Sequence, residues 1–281
     1  MADVNQPTAI GRPLDPSYPS NLFIMIFSGA GMVGFALSEF LLSGGALDSL
    51  AFGVRAGLGI FLTWALGREL DPDNPATATV SSVGIVGPIA LWGTPGLLVA
   101  AWSLFILRVL NRTTGLKANL GDTIFITALS GLLGYFINPA IVAAGFLVFI
   151  ADGVARNPNH RHLLTGSLLG IEGFVLWLVD PPGAPTYVNS VPVLVTVFTV
   201  GLAYLPTILL VRNLESRGDN SGEPLDPVRV KLAQLVALLL AVYFALWGGT
   251  NGLYDLLALW SVFAGRVLVC LARRTVLARS G

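Results

Sequence analysis

The feature that most constrains this chain is a succession of apolar segments, each about twenty residues long, separated by short polar turns. A helical segment of that length matches the hydrocarbon thickness of a bilayer. Charged residues make up only 11% of the 281 residues, against roughly 25% in soluble domains. The chain is therefore predicted to be all-α, a polytopic transmembrane helix bundle.

Ten segments have the length and apolar character of membrane spans. They lie near residues 22–43, 50–67, 76–93, 95–111, 121–137, 139–156, 162–180, 189–211, 229–248 and 252–271. Some are separated by turns as short as "NP", so the pair 121–137 and 139–156 either crosses the membrane twice or forms one broken helix.

Basic residues set the predicted orientation, because Lys and Arg near span ends gather on the cytoplasmic side. With ten spans and a cytoplasmic N-terminus, every Lys and Arg except Arg55 falls on that side. Both termini are therefore predicted to be cytoplasmic, in a multi-pass protein of a prokaryotic cytoplasmic membrane. The polar residues 1–21, followed by a long apolar run, indicate a signal-anchor and not a cleaved signal peptide.

Short phrases recur in register and indicate an internal duplication. The phrases "LDP", "ALWG" and a tryptophan six residues before an arginine follow one another from residue 70 and again from residue 225. "GMVGFAL" at 31–37 likewise pairs with "GIEGFVL" at 170–176. Since a displacement by six spans preserves orientation, the two copies are predicted to be parallel repeats related by an axis along the membrane normal.

The predicted organisation has five parts. They are a polar cytoplasmic N-terminal segment (1–21), a first four-helix repeat (22–111), a central helical hairpin (112–161), a second four-helix repeat (162–271) and a basic cytoplasmic tail (272–281). Trp102 and Trp260 occupy equivalent places in the two repeats and are interpreted as packing residues.

Ionisable side chains inside the spans are candidate binding residues, because a charge in hydrocarbon is costly. Arg108 and Arg266 either snorkel to the headgroups or form a pair that binds lipid phosphate or an anionic substrate. Glu39 and Arg55 flank the first outer turn, as an ion pair or as a site facing the outer leaflet. Glu172, near the middle of the seventh span, has a proton- or cation-coupled role or is simply hydrogen-bonded. A carrier predicts a cavity between the repeats that reaches Glu172.

Two predicted cytoplasmic loops, 68–75 and 212–227, are rich in carboxylates. If they converge, they can hold Mg²⁺ for a diphosphate substrate. The candidate ligands are Asp71, Asp73, Glu215 and Asp219. The loops resemble the paired acidic loops of UbiA-type prenyltransferases, but they lack the Asn-Asp opening and the aspartate spacing of that family, so no family is assigned. Each "DP" also fits a helix start, with Asp as cap and Pro as first residue.

Other function classes lack support. Sixteen basic residues balance sixteen acidic ones, which gives no basis for nucleic-acid binding. No nucleotide-binding or hydrolase motif is present, no cofactor is expected, and His160 and His162 are expected in a solvated basic loop. The favoured hypothesis is a permease or carrier for a lipid or small molecule. The alternatives are a membrane-embedded lipid- or prenyl-modifying enzyme and an accessory subunit of a membrane complex. Membrane lipids are expected partners in each case, and the oligomeric state is left open.

Overall fold

The computed structural model describes residues 8–179 and 190–280, with the backbone alone for 276–280. In this part of the chain the fold is all-helical, which confirms the predicted class. The helices are α1 (Pro19–Ser43), α2 (Ala46–Leu70), α3 (Pro75–Gly84), α4 (Val86–Trp92), α5 (Leu97–Asn111), α6 (Leu120–Phe136), α7 (Ala140–Val154), α8 (Arg161–Val179), α9 (Val191–Thr196), α10 (Leu202–Leu209), α11 (Pro227–Asp255) and α12 (Leu257–Ser280).

Six helical units within the described ranges are long and apolar enough to cross a membrane, as expected of a multi-pass membrane protein. They are α1, α2, the α3–α4 unit, α8, the α9–α10 unit and α11. The apolar helices α5, α6 and α7 have 15 to 17 residues, fewer than the roughly twenty of a typical span. Ten separate spans therefore stay a prediction.

Proline and glycine shape several helices. Pro88 has no N–H to donate to the carbonyl of Gly84, and the helix is interrupted there between α3 and α4. A π-helical turn at Val197–Gly201 joins α9 to α10. The predicted turn after residue 248 is a bend at Gly249, where φ is 61° and a side chain would be strained. Helical structure then resumes as far as Asp255.

Helices α1 and α2 form a close hairpin. Gly44 ends α1 in a left-handed conformation, and its N–H donates to the carbonyl of Phe40. A Cβ placed on Gly53 of α2 would lie 2.6 Å from Ala36 Cβ and 2.9 Å from its backbone nitrogen, and it would also meet the carbonyl of Met32. The two helix backbones are in contact because Gly53 has no side chain.

We expect Gly53→Ala to destabilise the protein by about 1–3 kcal/mol, because the methyl group must push α1 away from α2. Gly34→Ala on α1 is the matched control, since a Cβ there meets nothing within 4 Å. It should be neutral or stabilising by up to about 1 kcal/mol, as alanine favours a helix over glycine. The measurement is the thermal unfolding midpoint of the purified variants. Equal midpoints for the two variants would contradict the close approach.

The centre of the bundle is formed by α2, α5, α11 and α12. The largest fully buried side chains in the described residues include Trp102, Phe244 and Phe263 of these helices, Phe149 of α7 and Tyr204 of α10. Helix α12 packs against α3 and α2, and α11 packs against α5 and α7. Helix α1 lies along α2, whereas α8 lies against α7 and α6. Both α1 and α8 expose many large apolar side chains, as helices at the rim of a membrane bundle do.

Candidate functional site

Buried polar side chains gather at one end of the bundle, where α2, α5 and α7 end and α6, α8 and α11 begin. We call this the polar layer. It comprises Glu69, Asp71, Asn111, Arg112, Asp122, Asp152, His162, Arg229, Gln234 and Arg266. Buried charges are tolerated only when paired or hydrogen-bonded. Most charges of this layer form two clusters, centred on Asp152 and on Glu69, while Arg266 pairs with Asp71 and Asp122 accepts hydrogen bonds from Thr8 and Ala9.

The first cluster surrounds Asp152 near the end of α7. Its Oδ1 lies 2.7 Å from Arg112 Nη2 and also accepts from Arg229 Nη1. Its Oδ2 lies 2.8 Å from His162 Nδ1. Burial lowers the pKa of Arg112, and the negative charge of Asp152 opposes that shift. One carboxylate thus ties the end of α5 to α7, α8 and α11.

The contacts of the His162 ring fit the tautomer that carries its proton on Nδ1. Asn159 Nδ2, which can only donate, lies 3.2 Å from His162 Nε2. Nε2 must therefore accept, and the ring proton sits on Nδ1 and points at Asp152. The ring is fully buried and Thr123 Oγ1 also lies 3.0 Å from Nε2. The pair of His162 and Asp152 is thus structural, since neither ring nitrogen is available to a substrate. The expected solvated loop is wrong for His162.

The second cluster surrounds Glu69, which is fully buried at the end of α2. Its carboxylate accepts from Arg108 Nε at 3.0 Å and from Thr113 Oγ1 at 2.8 Å, and Arg12 Nη1 lies 3.5 Å away. Arg12 also pairs with Asp219, with Nε 2.6 Å from Oδ2. Burial alone would lower the pKa of Arg12, but the charges of Glu69 and Asp219 outweigh it and raise that pKa.

Residues 8–17, which we call the strap, lie across the polar layer. Thr8 Oγ1 and the N–H of Ala9 donate to the carboxylate of Asp122. Arg108 Nη1 donates to the carbonyl of Ile10 at 2.9 Å. Side chains of α5 and α6 therefore hold the strap in place.

Arg266 does not reach out towards headgroups. It is 4% exposed, and its Nη1 donates at 2.6 Å to the carbonyl of Leu70, which also accepts from Gln234 Nε2. Its Nη2 donates to the carbonyl of Thr207. Asp71 Oδ1 lies 3.5 Å from Arg266 Nη1. Arg108 and Arg266, predicted as equivalents, thus both bind the last turn of α2.

A cavity of about 570 Å³, which we call the arginine cavity, lies between the strap, α2, the end of α5 and the loop 217–220. This volume falls within the range of roughly 300–1,000 Å³ typical of ligand sites. Four guanidinium-bearing side chains line it: Arg12, Arg68, Arg108 and Arg217. Phe61 and Trp64 of α2 form an aromatic wall in the same cavity. A cavity of this kind suits an anionic ligand with an apolar part.

The arginines of this cavity differ in their pairing. Arg12 and Arg108 are neutralised by Glu69 and Asp219. Arg68 is half-buried and makes no hydrogen bond or ion pair with any residue that the structure describes, and Glu69 and Asp219 attract its charge only at longer range. Arg217 donates to the carbonyl of Gly222 and has no carboxylate partner in the described ranges. Two cationic groups are therefore free to bind an anion.

The remaining span candidates lie apart from this cavity. Glu172 of α8 faces α6, where its carboxylate is within 3 Å of the position a Cβ would take on Gly131. It lines neither the arginine cavity nor either of two other cavities of similar volume, and so gives the carrier hypothesis no support. Arg55 is exposed, its Nε donates to the carbonyl of Ala51, and no ion pair with Glu39 forms in the described part of the chain.

The two acidic loops meet, but the carboxylates of Asp71, Asp73 and Asp219 bind protein groups, and Glu215 is exposed. Asp73 accepts from the backbone N–H of Glu215 and Ser216, and Asp71 accepts from Asn74 Nδ2 and Thr77 Oγ1. Asp219 pairs with Arg12, as described above. Across residues 8–179 and 190–280, no group of three or more His, Cys, Asp or Glu side chains is arranged to hold a metal ion. Asp226 caps α11 as the "DP" pattern predicts, by accepting from the N–H of Val228. The same prediction is wrong for Asp71, which ends α2, since α3 begins only at Pro75 after Asn74.

Two further cavities lie outside the arginine cavity. One, of about 720 Å³, is lined by Arg112, Arg229 and the exposed Arg156, but the first two are already bound to Asp152. The other, of about 530 Å³, is an apolar groove between α3 and α12. Neither offers a buried cationic group without a carboxylate partner.

Sequence reasoning missed the centres of both clusters and the free arginine. Asp152 lies near the end of a predicted span, where an acidic residue carries little weight in assigning orientation. Glu69 and Arg68 were considered only as neighbours of the acidic loop. For Asp152, Glu69 and Arg68, the sequence offered one indication: each is an ionisable residue within one helical turn of the end of a predicted span.

Comparison of the chain with protein-family models, curated proteins and solved structures finds no match. The chemistry of the site is therefore the only indication of function. That chemistry is a cation-rich, partly aromatic cavity beside a buried polar layer whose arginines are paired with carboxylates.

Proposed function

We propose that the chain is a multi-pass membrane carrier that binds an anionic lipid or small molecule in the arginine cavity, at the cytoplasmic end of the bundle. The observation that carries the proposal is Arg68, a half-buried guanidinium without a partner in the described part of the chain. A buried or half-buried charge is costly unless it is paired. An anionic ligand supplies the missing partner.

The proposed topology has ten spans with both termini in the cytoplasm. Its support is that the loops and span ends predicted to be cytoplasmic contact one another in the polar layer, as Arg112 does with Asp152 and Asp73 with Ser216. A cysteine in place of the exposed Glu223, in a Cys270→Ser background, should react with an impermeant thiol reagent only in inside-out vesicles. Labelling from the outside would contradict the orientation.

The proposed duplication relates α3 to α11 and α5 to α12. Under this relation the pair α3 with α12 maps onto the pair α11 with α5, and both pairs are in contact. Arg108 and Arg266 add support, because Arg108 binds Glu69 in the last turn of α2 and Arg266 binds the carbonyl of Thr207 in the last turn of α10, the unit that corresponds to α2. The first helices differ, since α1 lies along α2 and α8 lies against α7. The repeat proposal therefore concerns the last three helical units of each copy, and superposition of 46–111 on 191–271 tests it.

The enzyme alternative is less favoured than the carrier. Asp71, Asp73 and Asp219 each bind N–H, hydroxyl or guanidinium groups, which leaves no open carboxylate cluster for Mg²⁺ in the described ranges. The carrier needs no such cluster. It needs a binding site that is both accessible and charged, which the arginine cavity provides.

We expect Arg68→Gln to weaken anion binding about ten-fold or more, because a hydrogen bond to a charged group contributes roughly 1.5–3 kcal/mol. The protein, held in nanodiscs of zwitterionic lipid at low ionic strength, is titrated separately with inorganic phosphate, inorganic pyrophosphate and dihexanoyl phosphatidic acid. Binding is followed by isothermal calorimetry and by the rise in the unfolding midpoint.

Arg156→Gln is the matched control. Arg156 is exposed and lies at the same end of the bundle but outside the arginine cavity. Its replacement removes the same charge and should leave anion affinity within about two-fold, since exposed charges are screened. If none of the three anions binds the native chain, the carrier proposal fails and the accessory-subunit hypothesis gains. If both variants lose affinity equally, binding is due to general surface charge and the site is wrong.

A further inference from the structure

We propose that the ligand of the arginine cavity is a lipid phosphate monoester, with its phosphate at Arg68 and Arg217 and its chain along the aromatic wall of α2. The inference rests on the proposed function, since it names the ligand class of the same site. It is carried by one juxtaposition: two guanidiniums without a carboxylate partner face the same cavity as an apolar wall.

The charge of the free groups selects the headgroup. Arg68 and Arg217 form no direct ion pair with a carboxylate of the described residues, while Arg12 and Arg108 are neutralised within the protein. A phosphate monoester carries roughly −1.5 to −2 charges near neutral pH, whereas a carboxylate or a phosphodiester carries one. Guanidinium groups also match phosphate oxygens in pairs. Asp15 lines the cavity as well, and like Arg217 it is exposed, so solvent screens both charges and the half-buried Arg68 provides most of the attraction.

The apolar part of the cavity selects an amphiphile over a free ion. Phe61 and Trp64 lie side by side on α2, with ring centroids 6.1 Å apart. Leu14 of the strap and Tyr18 at the start of α1 line the same cavity. Tyr18 is 62% exposed, in keeping with the enrichment of Tyr and Trp at membrane interfaces. A phosphate ion would leave this apolar wall unused, whereas an acyl chain would cover it.

The position of the cavity suits delivery from the bilayer. It is bounded by the first residues of α1, Ser20 and Asn21, and by the last turns of α2. Both helices are apolar and long enough to span, and α1 has a single buried residue, Ile24. The cavity therefore lies at the polar end of a hairpin that is otherwise surrounded by hydrocarbon in the proposed topology. A lipid in the cytoplasmic leaflet has its phosphate at that depth.

The test compares three soluble probes on the full chain in zwitterionic nanodiscs: dihexanoyl phosphatidic acid, dihexanoyl phosphatidylcholine and inorganic phosphate. Phosphatidic acid should bind at least ten-fold more tightly than either of the others, because only it offers both the charge and the chain. Phe61→Ala should lower its affinity about ten-fold, an effect of the size expected from losing contact with roughly two methylene groups. The same variant should leave the affinity for inorganic phosphate unchanged.

Phe198→Ala is the control for removal of a phenyl ring, since Phe198 is 61% exposed and lies outside the arginine cavity. If Phe61→Ala does not fold, Tyr18→Ala replaces it, because this side chain is exposed. Inorganic phosphate binding as tightly as phosphatidic acid, with both weakened by Arg68→Gln, would overturn the lipid inference and keep the proposed anion carrier. Equal binding of phosphatidylcholine and phosphatidic acid would overturn the headgroup assignment. Absence of binding by all three probes would remove both proposals.

Discussion

Asp152→Asn is expected to destabilise the protein by about 3–5 kcal/mol, the usual cost of leaving buried charges without their partner. The amide keeps the shape of the carboxylate but not its charge, so Arg112 and Arg229 lose their common counter-ion. The amide also presents N–H groups either to an arginine or to the Nδ1 proton of His162, where donor would face donor. For a chain of this size the unfolding midpoint should fall by roughly 10 °C, measured by thermal unfolding with size-exclusion detection.

Asp48→Asn is the matched control, because Asp48 is exposed in the first turn of α2 and makes no hydrogen bond in the described ranges. Its midpoint should stay within the change of about 0.5 kcal/mol seen for surface substitutions. Should Asp152→Asn yield no folded protein, Thr123→Val removes only a hydroxyl beside His162 Nε2 and should cost about 1 kcal/mol. Asp152→Asn as stable as Asp48→Asn would show that Asp152 is not the centre of the polar layer.

Helix positions were predictable from the sequence because apolar runs and helix-breaking residues are local features. The predicted segment 121–137 is α6 (Leu120–Phe136), and the predicted first segment 22–43 is extended by one turn at its start. The asparagine and aspartate of "NLGD" form a capping box on α6, a pattern that can be recognised in sequence. The fold class and the approximate helix bounds therefore follow from the apolar runs and from the helix-breaking and capping residues between them.

The interruptions within helices were not predicted, because they depend on packing. Val197–Gly201 forms a π-helical turn although nothing but its apolar side chains distinguishes it in sequence. Gly249 was expected in a loop between two spans, but helical structure continues beyond it to Asp255. Short segments of this kind are decided by neighbouring helices, and a single sequence contains no direct record of them.

The polar layer was beyond sequence reasoning because its contacts are remote along the chain. Arg229 and Asp152 are 77 positions apart, and Arg266 and Leu70 are 196 apart. The repeated phrase made Arg108 and Arg266 equivalent, yet snorkelling and ligand binding were the alternatives considered for them. Burial at the end of α2 is a third outcome, and only the tertiary packing selects it.

The second large effect concerns Glu69→Gln, which should lower stability and tighten anion binding at once. Glu69 is the buried counter-charge for Arg108 and, at 3.5 Å, for Arg12. Removing it should cost roughly 3 kcal/mol, because strong hydrogen bonds to a buried carboxylate are weakened. The same change leaves Arg108 without its carboxylate in a cavity that already holds Arg68. Affinity for dihexanoyl phosphatidic acid should therefore rise about ten-fold, because the Glu69 carboxylate no longer repels the bound phosphate.

If Glu69 had a purely structural role, its replacement would lower both stability and anion binding. Lower stability together with higher affinity would instead show that Glu69 competes with the anion for Arg108. Asp219→Asn is a second variant with a smaller expected effect on stability, because the side chain of Asp219 is 41% exposed. Its loss frees Arg12 for the anion. Glu223→Gln removes an exposed carboxylate outside the arginine cavity and should change neither quantity. If Glu69→Gln and Asp219→Asn both weaken phosphatidic acid binding, the carboxylates are part of the ligand site and not its competitors. The free charge on Arg68 would then not be what draws the anion in.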